Sequence, residues 1–338
     1  MAQSKQAARL KRTDVKPTRP LASLADDARH GLMVPPRSLP PKYFYDDKGS
    51  QLFEKICDTP EYYPTRTEAA LLDAHAGDIV ARVQPAHMLE LGSGSSRKTR
   101  SLIRALDAQA QQPVYWPFDV SAQMMLDAGQ SLIDDYPWLQ VHALVGDYTG
   151  GLDNLPLPDD GERRLIVFLG GTLGNFEPQQ ATAILAEITA LMGPDDALLL
   201  GLDRVKNAQR LEQAYDDAAG WTAAFNRNVL DVLNRELGAN FPVQAYRHLA
   251  CFDADLERIE MRLVAEHAHT VQLAALDTDI QIAEGEHLLT EISRKFTRDS
   301  ISRLLASAGL AEWAHFEADS PDGPSDAVDY SLVLAGRA

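Results

Sequence analysis

The 338-residue sequence predicts an α/β fold built on a mostly parallel sheet. Between about Ile79 and Asp203, short apolar runs alternate with amphipathic stretches of helical period, as in strands joined by crossover helices. After Asp203 the alternation stops, and it resumes only near Thr297. A chain of this length is also too long for one core of ordinary size. We therefore expect an α/β domain with a second lobe inserted into it.

The elements of the α/β domain follow from the apolar periodicity. Five apolar runs predict parallel strands, at residues 88–91, 114–120, 141–145, 165–169 and 197–202. Three amphipathic stretches predict the helices between them, at residues 98–107, 121–135 and 178–192. Ser121 is placed to cap its helix, and Gly193 with Pro194 ends the last one. An open sheet of this kind binds its ligand at the carboxyl ends of the strands.

The segment after Asp203 has a different pattern. Residues 211–237 predict helix interrupted by Gly220, and residues 247–272 alternate as extended strands do. The α/β pattern then resumes with a helix at 297–310, closed by Gly309, and two terminal strands at 312–318 and 330–335. These strands bring the predicted sheet to seven, and the inserted lobe is of the α+β kind.

The composition limits the class of partner. A formal charge of −17 argues against a nucleic acid or an anionic membrane, because both require clustered Lys and Arg. Cys57 and Cys251 are far apart with no metal-ligand spacing, which predicts a reducing cytoplasm and no metal site. Residues 1–20 carry six basic residues and no apolar signal segment, so we expect a disordered basic tail. No run reaches the roughly 18 apolar residues of a membrane span.

A glycine turn follows the first predicted strand of the sheet. Gly92 and Gly94 allow close approach of a ligand to the backbone, and the next helix offers unpaired N–H groups. This arrangement suits either a pyrophosphate or the carboxylate of a methionine moiety. Against a dinucleotide, Arg97 replaces the third glycine of the fingerprint, and Asp119 lies further along than about 20 residues. By itself the turn is a weak signal.

Two acids at the next strand ends strengthen the prediction of a nucleoside ligand. Asp119 ends the second strand, where it could accept hydrogen bonds from both ribose hydroxyls. Asp147 ends the third, where it could accept from an adenine amino group. Alone, each acid is more often a solvated loop residue or a helix cap. Together with the glycine turn, they favour S-adenosylmethionine (SAM).

Two further segments are ambiguous on their own. The glycine-rich loop at 169–176 lies at the same edge of the sheet, where Asn175 could hold a nucleophile by hydrogen bonds. The alternative interpretation is that its glycines only shape a turn and that Asn175 caps the helix that begins near Pro178. The aromatic-rich segment at 39–66 is more often core packing than a ligand contact, although loop tyrosines do serve recognition.

Several long blocks together resemble a known family. They are LPPKYFYD at 39–46, PEYYPTRTE at 60–68, ELGSG at 90–94, FLGGTLGN at 168–175, AYDDAAG at 214–220, TAAFNRN at 222–228 and TEIS at 290–293. These blocks strongly resemble the histidine Nα-methyltransferases of ergothioneine biosynthesis. The resemblance covers nearly all of the chain after the basic tail.

The resemblance implies both an architecture and a reaction. The fold would be a Rossmann-like class I methyltransferase domain, binding SAM, at 70–204 and 294–338. A substrate-binding lobe would comprise 21–69 and 205–293. The reaction would be three successive methyl transfers from SAM to the α-amine of L-histidine, giving hercynine, the first step of ergothioneine biosynthesis. A cytoplasmic monomer that needs no metal, nucleic acid or membrane is expected.

The resemblance also assigns site residues. Those that would hold the amino acid's carboxylate and amine are Tyr62, Asn175 and Tyr215. Glu291 and Ser293 match the pair that recognises the imidazole, where an apolar pocket would suit tryptophan instead. Thr222 and Met261 match pocket-lining positions, and Tyr45 matches a further pocket tyrosine that, with Asn175, is a candidate catalytic residue. The matched cofactor positions are Gly92, Ser93, Gly94, Lys98, Asp119, Asp147 and Tyr148.

Three alternatives are kept beside this hypothesis. One is a methyltransferase for another amino acid or small amine. The second is a non-catalytic module that senses SAM or histidine. The third is a dinucleotide-dependent oxidoreductase, which would bind NAD in place of SAM.

Overall fold

A computed structural model describes residues 9–158, 161–320 and 328–338. Its helices are α1 (Leu24–Leu32), α2 (Asp47–Cys57), α3 (Tyr63–Val83), α4 (Thr99–Ala108), α5 (Ala122–Asp135), α6 (Pro178–Leu191), α7 (Ala208–Ala214), α8 (Trp221–Leu237) and α9 (Arg298–Ser307). Its strands are β1 (Leu10–Asp14), β2 (Arg37–Ser38), β3 (His87–Leu91), β4 (Val114–Asp119), β5 (Gln140–Val145), β6 (Arg164–Phe168), β7 (Ala197–Asp203), β8 (Tyr246–Asp253), β9 (Arg258–Ala265), β10 (His269–Leu273), β11 (Thr278–Ile282), β12 (His287–Arg294), β13 (Leu310–Asp319) and β14 (Val328–Arg337). Among these helices, none combines the length and apolar character that crossing a bilayer requires.

The chain divides into two compact units. The first comprises the described residues up to Leu21, Thr67–Arg204 and Phe296–Ala338, and the second comprises Ala22–Arg66 and Val205–Lys295. The breaks in the alternating pattern near residues 204 and 294 thus lie close to changes of unit. The roles assigned to the two units from the resemblance stay predictions.

The first unit is a sheet covered on both faces by helices. Its strand order is β1-β5-β4-β3-β6-β7-β14-β13. Neighbouring strands are parallel from β1 to β7, whereas β14 is antiparallel to β7 and β13 is antiparallel to β14. Side chains alternate across the sheet, so Leu198 and Leu200 pack with α6 and α9 while Leu199 packs with α3, α4 and α5. Both faces are buried, as a parallel sheet requires. Because β3, β4, β5 and β6 run in parallel, their carboxyl ends lie at the same edge of the sheet.

Within the residues that the structure describes, the sheet has eight strands, so the prediction of seven was wrong. The extra strand is β1, within the segment that we expected to be a disordered tail over residues 1–20. It pairs in parallel with β5 from Leu10 opposite Val141 to Asp14 opposite Val145. Most of its side chains are exposed, because an edge strand is held by backbone hydrogen bonds. Residues 1–8 lie outside the described residues.

The contribution of β1 to stability is testable by deletion. Beyond the ladder, the Arg9 guanidinium donates to the carbonyls of Ile133 at 2.9 Å and Pro137 at 3.0 Å, at the end of α5, where a cation is favoured. We expect deletion of residues 1–15 to lower the melting temperature by at least about 3 °C, since about 1 kcal/mol corresponds to that shift. Calorimetry checks this, with deletion of residues 1–8 as the control. Equal melting of the two proteins would contradict a structural role for β1.

The second unit is an α+β structure. Its four-stranded sheet has the order β2-β12-β9-β8, and β10 and β11 form a separate antiparallel pair. Phe44, Phe225, Leu230 and Met261 belong to its hydrophobic core. The predicted interrupted helix at 211–237 is two helices, α7 and α8, and Gly220 before α8 has a φ of +78°. That left-handed conformation favours glycine and separates the helices.

Candidate functional site

The glycine turn between β3 and α4 is fixed by the end of the neighbouring strand. Gly92 and Gly94 have φ values of +68° and +50°, a region that other residues rarely adopt. The Gly92 N–H donates to the Phe118 carbonyl at 2.8 Å, and the Gly94 N–H donates to the Asp119 carboxylate at 3.0 Å. The Ser93 Oγ is buried without a hydrogen-bond partner among the described residues. A buried hydroxyl of this kind points to a ligand that would complete the turn.

A buried hydrogen-bond network links the elements on either side of the glycine turn. Glu90 accepts from the Thr99 hydroxyl at 2.6 Å and from the Tyr115 phenol, which also contacts the Ser96 hydroxyl at 2.8 Å. Burial raises the pKa of Glu90 to about 7, although these hydrogen bonds and the charge of Lys98 act in the opposite direction. The network joins β3, β4 and the start of α4 around the turn.

The raised pKa of Glu90 leads us to expect that the free energy of unfolding depends on pH. Its folded pKa of about 7 exceeds the ordinary value of 4.5, so the folded state keeps this proton to higher pH than the unfolded state does. Stability therefore falls as the pH rises between these two values. Relative to Glu90→Gln, the wild-type unfolding free energy should decline by up to about 1.4 kcal/mol per pH unit in this window. Urea unfolding at several pH values measures it, and equal slopes for the two proteins would contradict it.

Asp147 and Tyr148 follow β5 at the same edge as the turn. Asp147 accepts from the Thr149 N–H at 2.8 Å and from its hydroxyl at 2.6 Å, which fixes the carboxylate. The Tyr148 ring lies beside the turn, since a Cβ built on Gly92 would be 3.8 Å from it. Burial raises the pKa of the Tyr148 phenol, which therefore stays neutral. This edge thus carries a carboxylate at the end of β4, another after β5, and an aromatic ring.

Lys98 is held by a buried carboxylate that sequence reasoning missed. Glu68 is completely buried, forms an ion pair with Lys98, and accepts from the Gly170 N–H at 2.8 Å and the Tyr330 hydroxyl at 2.9 Å. Glu68 thereby ties the start of α4 to the loop after β6. It lies at the end of the block PEYYPTRTE, but nothing in the spacing of that block indicates its partners.

The loop after β6 carries Asn175. Gly170 and Gly171 have positive φ values of +82° and +66°, and residues Thr172–Asn175 form a short 3-10 turn. Asn175 is partly buried. Glu177 is the residue that precedes α6, and its N–H donates to the Gln180 side chain at 3.0 Å. The alternative in which Asn175 caps this helix is therefore wrong.

The second unit brings two predicted tyrosines together. Tyr62 and Tyr215 are both buried, and their rings meet edge to face with centroids 5.9 Å apart. Tyr215 donates to the Ser293 hydroxyl at 2.8 Å. Burial raises the pKa of Tyr62, and the nearby Tyr215, Tyr45 and Glu291 raise it further. Tyr45, Tyr62, Tyr215, Glu291 and Ser293, which were all predicted to act on the methyl acceptor, therefore lie near one another in this unit.

One face of β12 and its continuation carries alternating polar side chains. Glu291, Ser293 and Lys295 are two residues apart, so they lie on the same side of the strand. Burial raises the pKa of Glu291 to about 7, and the Lys295 ammonium counteracts part of this rise. Met261, buried on β9, pairs directly with Glu291. Lys295 was missed from the sequence, although the spacing Glu-x-Ser-x-Lys on a strand would have indicated it.

The remaining predicted residues of this unit are Tyr45 and Thr222. Tyr45 is 39% exposed, and its ring centroid is 5.7 Å from that of Phe225 on α8. Thr222 is buried in the first turn of α8, where its N–H donates to the Asp217 carboxylate at 2.7 Å. Asn175 belongs to the first unit, whereas every other residue predicted to bind the acceptor belongs to the second.

Comparison with known proteins identifies a family. Residues 24–322 match the model of a family described as histidine-specific methyltransferase, SAM-dependent. The histidine N-alpha-methyltransferase of Mycolicibacterium smegmatis is 45% identical over 315 residues, which cover 93% of this chain and 95% of that protein. The ergothioneine biosynthesis protein 1 of Neurospora crassa is 30% identical, over 83% of this chain and 32% of that protein. The 4-dimethylallyltryptophan N-methyltransferase of Claviceps purpurea is 26% identical, over 85% and 89%.

Proposed function

Since the chain belongs to the family of SAM-dependent, histidine-specific methyltransferases, we propose that it transfers three methyl groups in turn from SAM to the α-amine of L-histidine. The product would be the trimethylated betaine hercynine, the first intermediate on the way to ergothioneine. The observation that carries the choice of acceptor is the pair Glu291 and Ser293, on one strand face beside Tyr62 and Tyr215. A carboxylate and a hydroxyl at this spacing suit the two nitrogens of an imidazole.

The first unit would hold the methyl donor. The glycine turn and the open Ser93 hydroxyl would receive its methionine moiety, Asp119 its ribose, and Asp147 with Tyr148 its adenine. Lys98, whose ammonium is held by Glu68, would contribute to donor binding beside the turn. When bound, SAM supplies a methyl group on a sulfonium, which is already reactive toward a neutral amine.

The second unit would hold the acceptor. Tyr62 and Tyr215 would bind the carboxylate and the amine, and the resemblance to the family assigns the same role to Asn175. Glu291 would accept a hydrogen bond from the imidazole, and such a charge-assisted bond contributes about 1.5–3 kcal/mol. Met261 and Thr222 would line the pocket.

The chain's residues would act mainly by desolvation and orientation. An amine attacks a methyl group only when it is neutral, so it must lose a proton before each of the three transfers. Burial favours the neutral form of an amine, and fixed placement replaces a bimolecular encounter. We assign Tyr45 and Asn175 to holding the reacting nitrogen. The last transfer leaves a permanent positive charge with no proton to lose, which ends the sequence at three.

A second acceptor class is suggested by the Claviceps purpurea relative, whose name specifies a tryptophan derivative. The buried Glu291 argues against an indole in this chain, because an indole N–H could satisfy the carboxylate but would leave Ser293 without a ring acceptor. We further propose a monomeric protein of the cytoplasm. The wide separation of Cys57 and Cys251 in the sequence favours a reducing compartment.

An acceptor panel tests the proposal. The purified protein is incubated with SAM and each amino acid in turn, and the products are followed by mass spectrometry. We expect L-histidine to be methylated with a kcat/KM at least about 100-fold above that for L-tryptophan, since each missing polar contact lowers it. Preference for another amine would identify the alternative methyltransferase. Tight binding of SAM without turnover would identify a sensor, and binding of NAD instead would identify an oxidoreductase.

A further inference from the structure

Lys295 is a buried cation among the residues proposed to recognise the imidazole. It is only 1% exposed, directly after β12, and its N–H donates to the Glu257 carbonyl at 2.7 Å. Its ammonium lies 2.9 Å from the Tyr215 hydroxyl and 2.9 Å from the Ser293 hydroxyl. Burying an ammonium costs free energy unless it is well paired. Its hydrogen bonds to these two hydroxyl oxygens therefore suggest a function for Lys295.

The hydrogens of this cluster can be assigned. An ammonium only donates, so Lys295 occupies one lone pair on Ser293. Tyr215 donates its own hydrogen to Ser293 at 2.8 Å, which occupies the second lone pair. The Ser293 hydrogen has no acceptor within the described parts of the chain. With both lone pairs used, the Ser293 hydroxyl can only donate to a ligand.

We propose that Lys295 is a positioning residue that makes Ser293 an obligate hydrogen-bond donor, so that the site selects a neutral imidazole. Glu291 requires an N–H on one ring nitrogen, and Ser293 requires a bare lone pair on the other. A neutral imidazole in one tautomer meets both requirements, whereas an imidazolium carries two N–H groups and opposes Ser293. The inference rests on the proposed function, and it adds the protonation state and tautomer of the acceptor.

The groups that face the cluster agree with this assignment. Glu291, on the same strand face, is its acidic member, and Lys295 lowers the pKa of this carboxyl against the effect of burial. Tyr215 and Tyr62 face it from the segments around α7 and α3, and both are phenols. Burial raises the pKa of Tyr62, so this phenol stays neutral. Glu291 is thus placed to accept and Ser293 to donate.

The test uses ring analogues of the acceptor. The two isomers of pyrrolyl-L-alanine keep one ring N–H and replace the bare nitrogen with C–H. In the wild type, L-histidine should bind at least about tenfold tighter than the better isomer, the effect of one hydrogen bond to a buried donor. In Lys295→Met, Ser293 regains a lone pair but keeps its hydrogen, so this ratio should fall part of the way toward the value in Ser293→Ala. The double variant should show the same ratio as Ser293→Ala alone, because both substitutions act through one hydroxyl.

The ratio separates positioning from packing. A lysine that only fills space would, when replaced, weaken both ligands equally and leave the ratio unchanged, and that result would overturn the inference. Failure of the wild type to bind or methylate histidine would instead overturn the proposed function. If Lys295→Met does not fold, nitrogen NMR of isotope-labelled L-histidine bound to the wild type near about pH 6.5 decides, since free imidazole is then half protonated. One bare ring nitrogen supports the inference, and two protonated nitrogens contradict it.

Discussion

Replacing Glu291 with alanine should weaken the binding of L-histidine by roughly 10- to 150-fold, the equivalent of about 1.5–3 kcal/mol. The loss arises because a buried carboxylate would no longer accept from the ring N–H. Burial raises the pKa of Glu291 to about 7, so its surroundings disfavour the charged form, and a hydrogen bond from the ligand's N–H would favour it. Titration calorimetry with L-histidine at about pH 8.5 measures the effect with Glu291 ionised.

Two controls define this result. Glu284 is an exposed glutamate in the same unit, and Glu284→Ala should leave histidine binding unchanged. Glu291→Gln keeps the shape and one acceptor oxygen but no charge, so its loss should be smaller than that of Glu291→Ala. SAM binding should be unaffected in all three variants. Histidine binding that withstands Glu291→Ala would contradict the proposed recognition of the imidazole.

The second large effect is expected at the donor site. Asp119→Ala should weaken SAM binding by roughly 10- to 100-fold, because its carboxylate would otherwise accept from the ribose hydroxyls. The same carboxylate accepts from the Gly94 N–H at 3.0 Å and from the Ser121 N–H at 2.9 Å. Its removal therefore also loosens the glycine turn. Equilibrium binding of SAM measures the change.

A matched aspartate separates local chemistry from surface charge. Asp127 is exposed on α5, where it accepts from the Gln123 side chain at 2.9 Å. Asp127→Ala should bind SAM as the wild type does. If the two variants bound SAM equally well, Asp119 would have no part in holding the donor.

Much of the first unit could be predicted because its strands are buried on both faces. The segment Ala197–Asp203 is an unbroken buried run, and its apolar sequence predicts a strand directly. The strand β1 escaped prediction for the opposite reason. Its residues after Leu10 are charged or polar and exposed, and its pairing with β5 depends on backbone groups that composition does not record.

The site residues divide in the same way. Positions at strand ends, such as Asp119 and Asp147, could be named from the alternation of elements and from the resemblance to a family. Glu68 could not, since its partners Lys98, Gly170 and Tyr330 are 30, 102 and 262 residues away in the chain. Such a convergence depends on tertiary structure. Lys295 needed only the knowledge that its segment is extended.

The atoms of L-histidine that receive methyl groups distinguish the proposed reaction from other methyl transfers. L-histidine is incubated with SAM that carries a deuterated methyl group, and tandem mass spectrometry of the product locates each label. We expect sequential mono-, di- and trimethylated histidine with every label on the α-nitrogen and none on the ring. Methylation of an imidazole nitrogen, or a product that stops short of three methyl groups at complete turnover, would contradict it.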